Sequence, residues 1–134
     1  MTLAACGAGD SPEQQVRAVI DQMEAAAENR DVGELTQYLS EDYRDSNGMG
    51  PDEVARYLRG YFIANQSIHL LTRIEELEFP TEGEARARVT VGMLGREAAD
   101  TNQWDLAAEL RAFKIALRRE DDAWKVSFVE LIPK

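Results

Sequence analysis

The sequence has a single cysteine and a single histidine among its 134 residues. One cysteine forms no internal disulfide, and one cysteine with one histidine falls short of the four ligands of an ordinary zinc site. Basic side chains are also scarce, with 15 Lys and Arg against 25 Asp and Glu, for a formal charge of -10. A surface that tracks phosphates needs clustered cations to displace counterions, so nucleic acid is not an expected partner. An anionic membrane surface repels such a chain as well, and membrane association would need a covalent anchor. No run after residue 10 approaches the roughly 20 apolar residues that span a bilayer. What is present, 44% hydrophobic and 30% charged residues, is the composition of an ordinary globular domain. A chain of this length buries about two-thirds of its unfolded surface, enough for a core without metal or disulfide staples.

The one cysteine stands in a distinctive place. Small apolar residues run directly into Cys6, and Gly7, Ala8, Gly9 and Asp10 follow before any helix signal. Leu3-Ala4-Ala5-Cys6 resembles the lipobox of bacterial lipoproteins. The resemblance implies a diacylated Cys6 thiol and a lipid-anchored protein of the cell envelope. Met1 to Ala5 carry neither a basic n-region nor a full apolar h-region, so they read as the end of a truncated signal, with residues 7–10 as a tether. Each buried methylene adds about 0.8 kcal/mol, so two or three acyl chains on one cysteine anchor durably. Gly7, by the sorting rules of that class, implies the outer membrane of a diderm bacterium, with the domain at residues 11–134 facing the periplasm.

Ser11, Pro12 and Gln14 form a helix start, with a hydroxyl N-cap, proline at the first helical position and a capping-box partner. Val16, Val19, Ile20, Met23, Ala26 and Ala27 then recur at helical spacing to about Glu28. Leu35, Tyr38 and Leu39 fit a second short helix, and Ser46 to Gly50 a turn. Pro51 opens a third helix with Val54, Tyr57, Leu58, Tyr61 and Phe62 as its apolar face. Beyond it the period becomes two. Ile68, Leu70 and Ile74 give way to Leu77 and Phe79, which predicts a bent strand, and Ala85 to Met93 alternate as a second. Trp104, Leu106, Ala108, Leu110 and Ala112 jump phase to Phe113, Ile115 and Leu117, which predicts a bulge. Trp124, Val126, Phe128 and Ile132 make a fourth strand after a turn at Glu120 to Asp122.

Three helices followed by four long strands predict an α+β fold, a curved antiparallel sheet with the helices on its concave face. The order, with "NRDVGELTQYLSEDYRDSNG" after the first helix and "FKIALRREDDAWKVSFVEL" at the end, resembles the nuclear transport factor 2-like superfamily, which includes ketosteroid isomerases, scytalone dehydratase and polyketide cyclase-like proteins. The resemblance implies a cone open at one end to a small apolar or amphipathic molecule. It also implies a homodimer through the outer sheet face, where Glu109 and Arg111 are expected. In the isomerases an aspartate after the second helix is the base and a tyrosine on the first helix steadies the oxyanion. That pattern falls on Asp45 and on Met23, and a methionine donates no hydrogen bond to an enolate. Asp45 in Asp-Ser-Asn-Gly also reads as a turn carboxylate that accepts backbone hydrogen bonds. A calcium loop fails there, with Tyr43 at the first ligand position and Val54 at the closing one.

His69 has no nucleophile or second histidine beside it and reads as structural. Met23, Tyr38, Tyr57, Tyr61, Phe62 and Trp104 are the candidate pocket lining. No metal and no cofactor is expected. The leading expectation is a lipid-anchored, non-catalytic small-ligand-binding or accessory domain. The alternatives are an isomerase, dehydratase or cyclase using Asp45, and a structural dimerisation module.

Overall fold

A computed structural model describes residues 11–94 and 109–132. The first helix, α1, spans Pro12–Glu28. Its capping box forms as the sequence predicts: Gln14 N donates to Ser11 Oγ at 3.2 Å, and Ser11 N to Gln14 Oε1 at 2.8 Å. At its other end Arg30 takes the left-handed conformation, φ 56°, that lets Arg30 N reach Ala27 O and Asp31 N reach Ala26 O. These two bonds close a Schellman turn with arginine where glycine is usual. Asp31 then caps the single-turn helix α2, Val32–Thr36, by accepting from Glu34 N.

The second helix is shorter than predicted, and the difference adds a strand. Leu39 does not continue α2; it opens strand β1, Leu39–Asp45, which is followed by helix α3, Pro51–Ala64. The remaining strands are β2 (His69–Thr81), β3 (Glu84–Leu94), β4 (Glu109–Glu120) and β5 (Ala123–Ile132). The five form one curved, unclosed sheet in the order β1-β5-β4-β3-β2. All neighbours are antiparallel except β1 and β5, which run parallel. The strand missed in the sequence is therefore one that reaches its partner across most of the chain.

Register decides which face each side chain serves. The bend in β2 is where the phase change placed it, with a shift between Ile74 and Glu76. The bulge expected near Ala112 is absent: β3 and β4 pair without interruption from Met93↔Glu109 to Glu84↔Arg118. Leu110 and Ala112 simply lie on one face and Phe113, Ile115 and Leu117 on the other, so both faces of β4 carry apolar side chains. The irregularity falls instead on β5, where Ala116 pairs with Phe128 but Leu117 with Val126, leaving Ser127 as the extra residue. That one-residue slip moves Phe128 to the outer face, away from Trp124 and Val126. Arg111 also differs from expectation. It pairs with Val91, whose side chain packs on the core, and so belongs to the concave face rather than the outer one.

The core lies between α1 and the concave face, built from Val16, Ile20, Tyr43, Ala85, Ala87, Val89, Leu117, Trp124 and Val126. Trp124 meets Phe79 edge-on at 5.8 Å and donates its indole N–H to Gln15 Oε1 at 3.0 Å. On the outer face, β1 is fastened to β4 by a polar network. Ser40, fully buried, donates to Glu120 Oε2 at 2.7 Å, while Arg118 Nη2 reaches Ser40 Oγ, Glu120 and Asp42.

Candidate functional site

The concave face changes character along its length. Reading the cross-strand rows in order, Ala85, Leu117 and Val126 are each 1% exposed. In the next row Ala87 is 5% exposed, but its neighbours Ile115 and Val129 are only partly buried. Val89 stays buried in the third row, whereas Phe113 is half-buried and Leu131 is 47% exposed. In the fourth, Val91 is partly buried and Arg111 exposed. Helix α1 packs on this face with Val16, Ile20 and Ala26 buried and Val19 and Met23 partly so. One end is filled by the protein's own side chains. Toward the other end the strands β4 and β5 are only partly covered, with Leu131 and Arg111 exposed, while Phe62 and Ile68 remain buried.

The residues singled out in the sequence fall in several separate places. Met23 is partly buried and packs against the core cluster. Phe62 is buried and Tyr61 half-buried on α3, with their rings edge-on at 6.2 Å. Tyr57 stacks on Tyr61 at 6.2 Å but is 62% exposed, on the solvent side of the helix. Tyr38 lies on the flank between α1 and α2, where its hydroxyl contacts Gln22 Oε1 at 2.7 Å and Glu34 Oε2 at 3.1 Å. Trp104 and Cys6 lie outside the described residues.

Asp45 ends β1, and its carboxylate turns into its own loop. Oδ1 accepts Asn47 N at 2.8 Å and Met49 N at 2.9 Å, and the backbone closes the turn through Gly48 N to Asp45 O at 2.9 Å. Gly48 supplies the positive φ, 82°, that this turn requires. The nearest phenol in sequence, Tyr43, is in the core and has its pKa pushed up to about 12, chiefly by burial and then by Asp45. His69 is half-buried near the edge of the sheet, with Nε2 3.4 Å from Ser67 Oγ. No group of three His, Cys, Asp or Glu arranged for a metal occurs among the described residues.

One partly buried polar residue of α1 was not singled out in the sequence. Glu24, half-buried on α1, accepts a hydrogen bond on Oε1 from Thr72 Oγ1 of β2. Its pKa is raised, first by burial and then by the neighbouring carboxylates of Glu28 and Asp21, against the lowering effect of Thr72. The signal was available: Glu24 stands four residues after Ile20 and three before Ala27, on the flank of the apolar stripe.

No family model matches the chain, and no curated protein matches it. Solved structures do. A domain of unknown function with a cystatin-like fold from Nostoc punctiforme superposes with a TM-score of 0.69 at 16% identity, over 91% of this chain and 76% of that one. A nuclear transport factor 2-like protein of unknown function from Shewanella oneidensis gives 0.67 at 16%, over 90% and 98%. A putative scytalone dehydratase from Novosphingobium aromaticivorans gives 0.71 at 17%, over 89% and 81%. The chain has the nuclear transport factor 2-like fold. At such identities the likeness concerns the backbone and not the chemistry, since this fold hosts both binding proteins and enzymes.

Proposed function

We propose that this protein is a non-catalytic binding domain that takes a small, apolar-bodied molecule at the open end of its cone. The observation that carries the reading is the thinning of cover along the cross-strand rows of β4 and β5, with Met23, Ile74, Val91 and Ile115 as partly buried apolar side chains beside them. The non-catalytic part is supported by two features. Met23 stands where the isomerase pattern has its oxyanion donor, and Asp45 spends Oδ1 on two backbone N–H groups of its own turn. Titration with 1-N-phenylnaphthylamine, a neutral apolar fluorophore, is expected to reveal one saturable site per chain that Met23→Trp removes by filling the wall. Absence of saturable binding would defeat the proposal.

The same reading includes anchoring and pairing. Cys6 is proposed as the acylated first residue of the mature protein, holding the domain at the outer membrane on the periplasmic side. A mass spectrum of the product of the complete gene, made in a bacterial host, is expected to show the diacylglycerol adduct, and an unmodified thiol would remove this element. Pairing is proposed through the outer sheet face. There Leu110 and Phe128 are 38% and 37% exposed. A groove of about 550 Å³ runs between Arg86, Arg88, Lys114, Phe128, Glu130 and Glu76. The cross-strand row Glu76–Arg88–Lys114–Glu130 sets two cations between two carboxylates, so the face offers both signs of charge to a second copy.

A further inference from the structure

A cleft on the flank of the fold shares no lining residue with Met23, Ile74, Val91 and Ile115. It encloses about 460 Å³ between α1, the junction of α2 with β1 and the β4–β5 hairpin, a volume in the range of small-ligand sites. Its floor is apolar, with Trp124 buried and Val19 and Tyr38 partly so. Its rim is made of carboxamides, because Gln14, Gln15, Gln22 and Gln37 all line it, four of the six glutamines in the chain.

The fold occupies the oxygens of three of these amides and leaves nitrogens open. Gln14 Oε1 accepts Ser11 N at 2.8 Å and Gln15 Oε1 accepts the Trp124 indole N–H at 3.0 Å; both partners can only donate, which fixes the two amide orientations. Gln22 Oε1 accepts from the Tyr38 hydroxyl at 2.7 Å. Among the described residues no acceptor meets Nε2 of Gln14 or of Gln22, so each keeps two donors. Lys125 Nζ gives one hydrogen to Gln37 O at 2.6 Å and has two more. The acceptors on the rim are fewer: the Gln37 side chain and Asp122, whose carboxylate stands 3.6 Å from Arg119 Nη2. Such a rim suits a ligand rich in acceptors. Gln14 and Gln22 lie eight residues apart on α1, about 12 Å along its axis. An extended peptide repeats its carbonyls along one edge every two residues, about 6.8 Å, so two repeats span the pair.

The geometry points to a short extended peptide as the occupant of this cleft, held through its backbone. Carbonyls along one edge accept from Gln14 Nε2 and Gln22 Nε2. On the other edge Lys125 Nζ donates to a carbonyl, while the Gln37 amide and Asp122 accept backbone N–H groups, and small side chains lie on Val19 and Trp124. Backbone contacts of this kind supply affinity with little demand on the peptide's sequence. A sugar hydroxyl brings a donor with every acceptor and matches the donor-rich rim less well.

Three uncharged probes test the assignment by calorimetric titration into the full chain at neutral pH: acetyl-tetra-alanine amide, acetyl-alanine methylamide and maltotetraose. The tetrapeptide is expected to bind at one site per chain. The single-residue probe reaches only one of the two α1 amides and is expected to bind about tenfold more weakly or worse, with maltotetraose also weaker than the tetrapeptide. Gln22→Leu removes a donor and is expected to weaken the tetrapeptide by about tenfold, leaving 1-N-phenylnaphthylamine binding unchanged. Gln66→Leu, in the exposed stretch after α3, removes an amide outside the cleft and is expected to change neither. No saturable binding of the tetrapeptide, a single-residue probe or maltotetraose that binds as tightly, or equal effects of the two substitutions overturns the peptide assignment. The probe order in the unmodified protein decides the matter even if a variant fails to fold.

Discussion

Replacing Asp45 separates a turn residue from a catalytic base. Its Oδ1 holds Asn47 N at 2.8 Å and Met49 N at 2.9 Å, so alanine removes two charge-assisted bonds to backbone donors, one of them part-buried. The comparable loss at a helix N-cap costs about 0.5–2 kcal/mol, and two bonds place Asp45→Ala near the upper end, about 1.5–2 kcal/mol. Unfolding entropy of about 2.1 cal/mol/K per residue gives roughly 0.28 kcal/mol/K for a 134-residue chain. The expected fall in Tm is then about 5–7 °C. Asparagine keeps an oxygen in the same place, so Asp45→Asn is expected to lower Tm by no more than about 2 °C, the cost of losing charge assistance alone. Calorimetric scans of the three proteins, with 1-N-phenylnaphthylamine binding measured on each, form the assay. A stable Asp45→Ala protein, or an Asn variant as damaged as the Ala variant, would refute the turn assignment.

Three further outcomes follow from the same geometry. Leu117→Ala opens a cavity where the first cross-strand row is fully buried, and chemical denaturation is expected to show a loss of about 2–5 kcal/mol. Burial holds the Glu24 carboxyl above the ordinary glutamate value of 4.5, so the native state binds more protons than the unfolded one just above that pH. Stability therefore falls as pH rises through that window, and Glu24→Gln is expected to flatten this part of the stability–pH curve; an unchanged curve would contradict the burial assigned to the carboxylate. Phe128→Asp places a charge on the outer face, and sedimentation velocity is expected to show dissociation to monomer with an unchanged far-UV spectrum and a Tm that no longer depends on protein concentration, whereas an intact dimer would move the interface elsewhere.

Much of the fold was legible in the sequence because its signals were local. Ser11, Pro12 and Gln14 announce α1 through side chains that satisfy neighbouring backbone groups, and the turn chemistry of Asp45 to Gly48 was likewise plain. Strand β1 was not legible. Its segment Leu39-Ser40-Glu41-Asp42-Tyr43-Arg44-Asp45 has only two apolar residues, and its register against β5 slips between Leu39 and Arg44, so no alternation survives. Its stability comes from contacts distant in sequence, above all Ser40 with Glu120 and Arg118. The phase jump in β4 was real but was misread as a bulge, because apolar residues on two faces of one regular strand give the same pattern. Glu24 went unnoticed because an amphipathic stripe is traced through its apolar members, and the polar residue on its flank is judged only once β2 is placed beside it.

The central claim is that the open end of the cone holds a ligand against Met23, and the methyl group of that residue reports on it directly. In a methionine-methyl NMR spectrum, addition of 1-N-phenylnaphthylamine is predicted to shift the Met23 resonance saturably, at one probe per chain, while Met49 in the turn after β1 stays in place. A Met23 resonance that does not move, or one that moves together with Met49, would contradict the account.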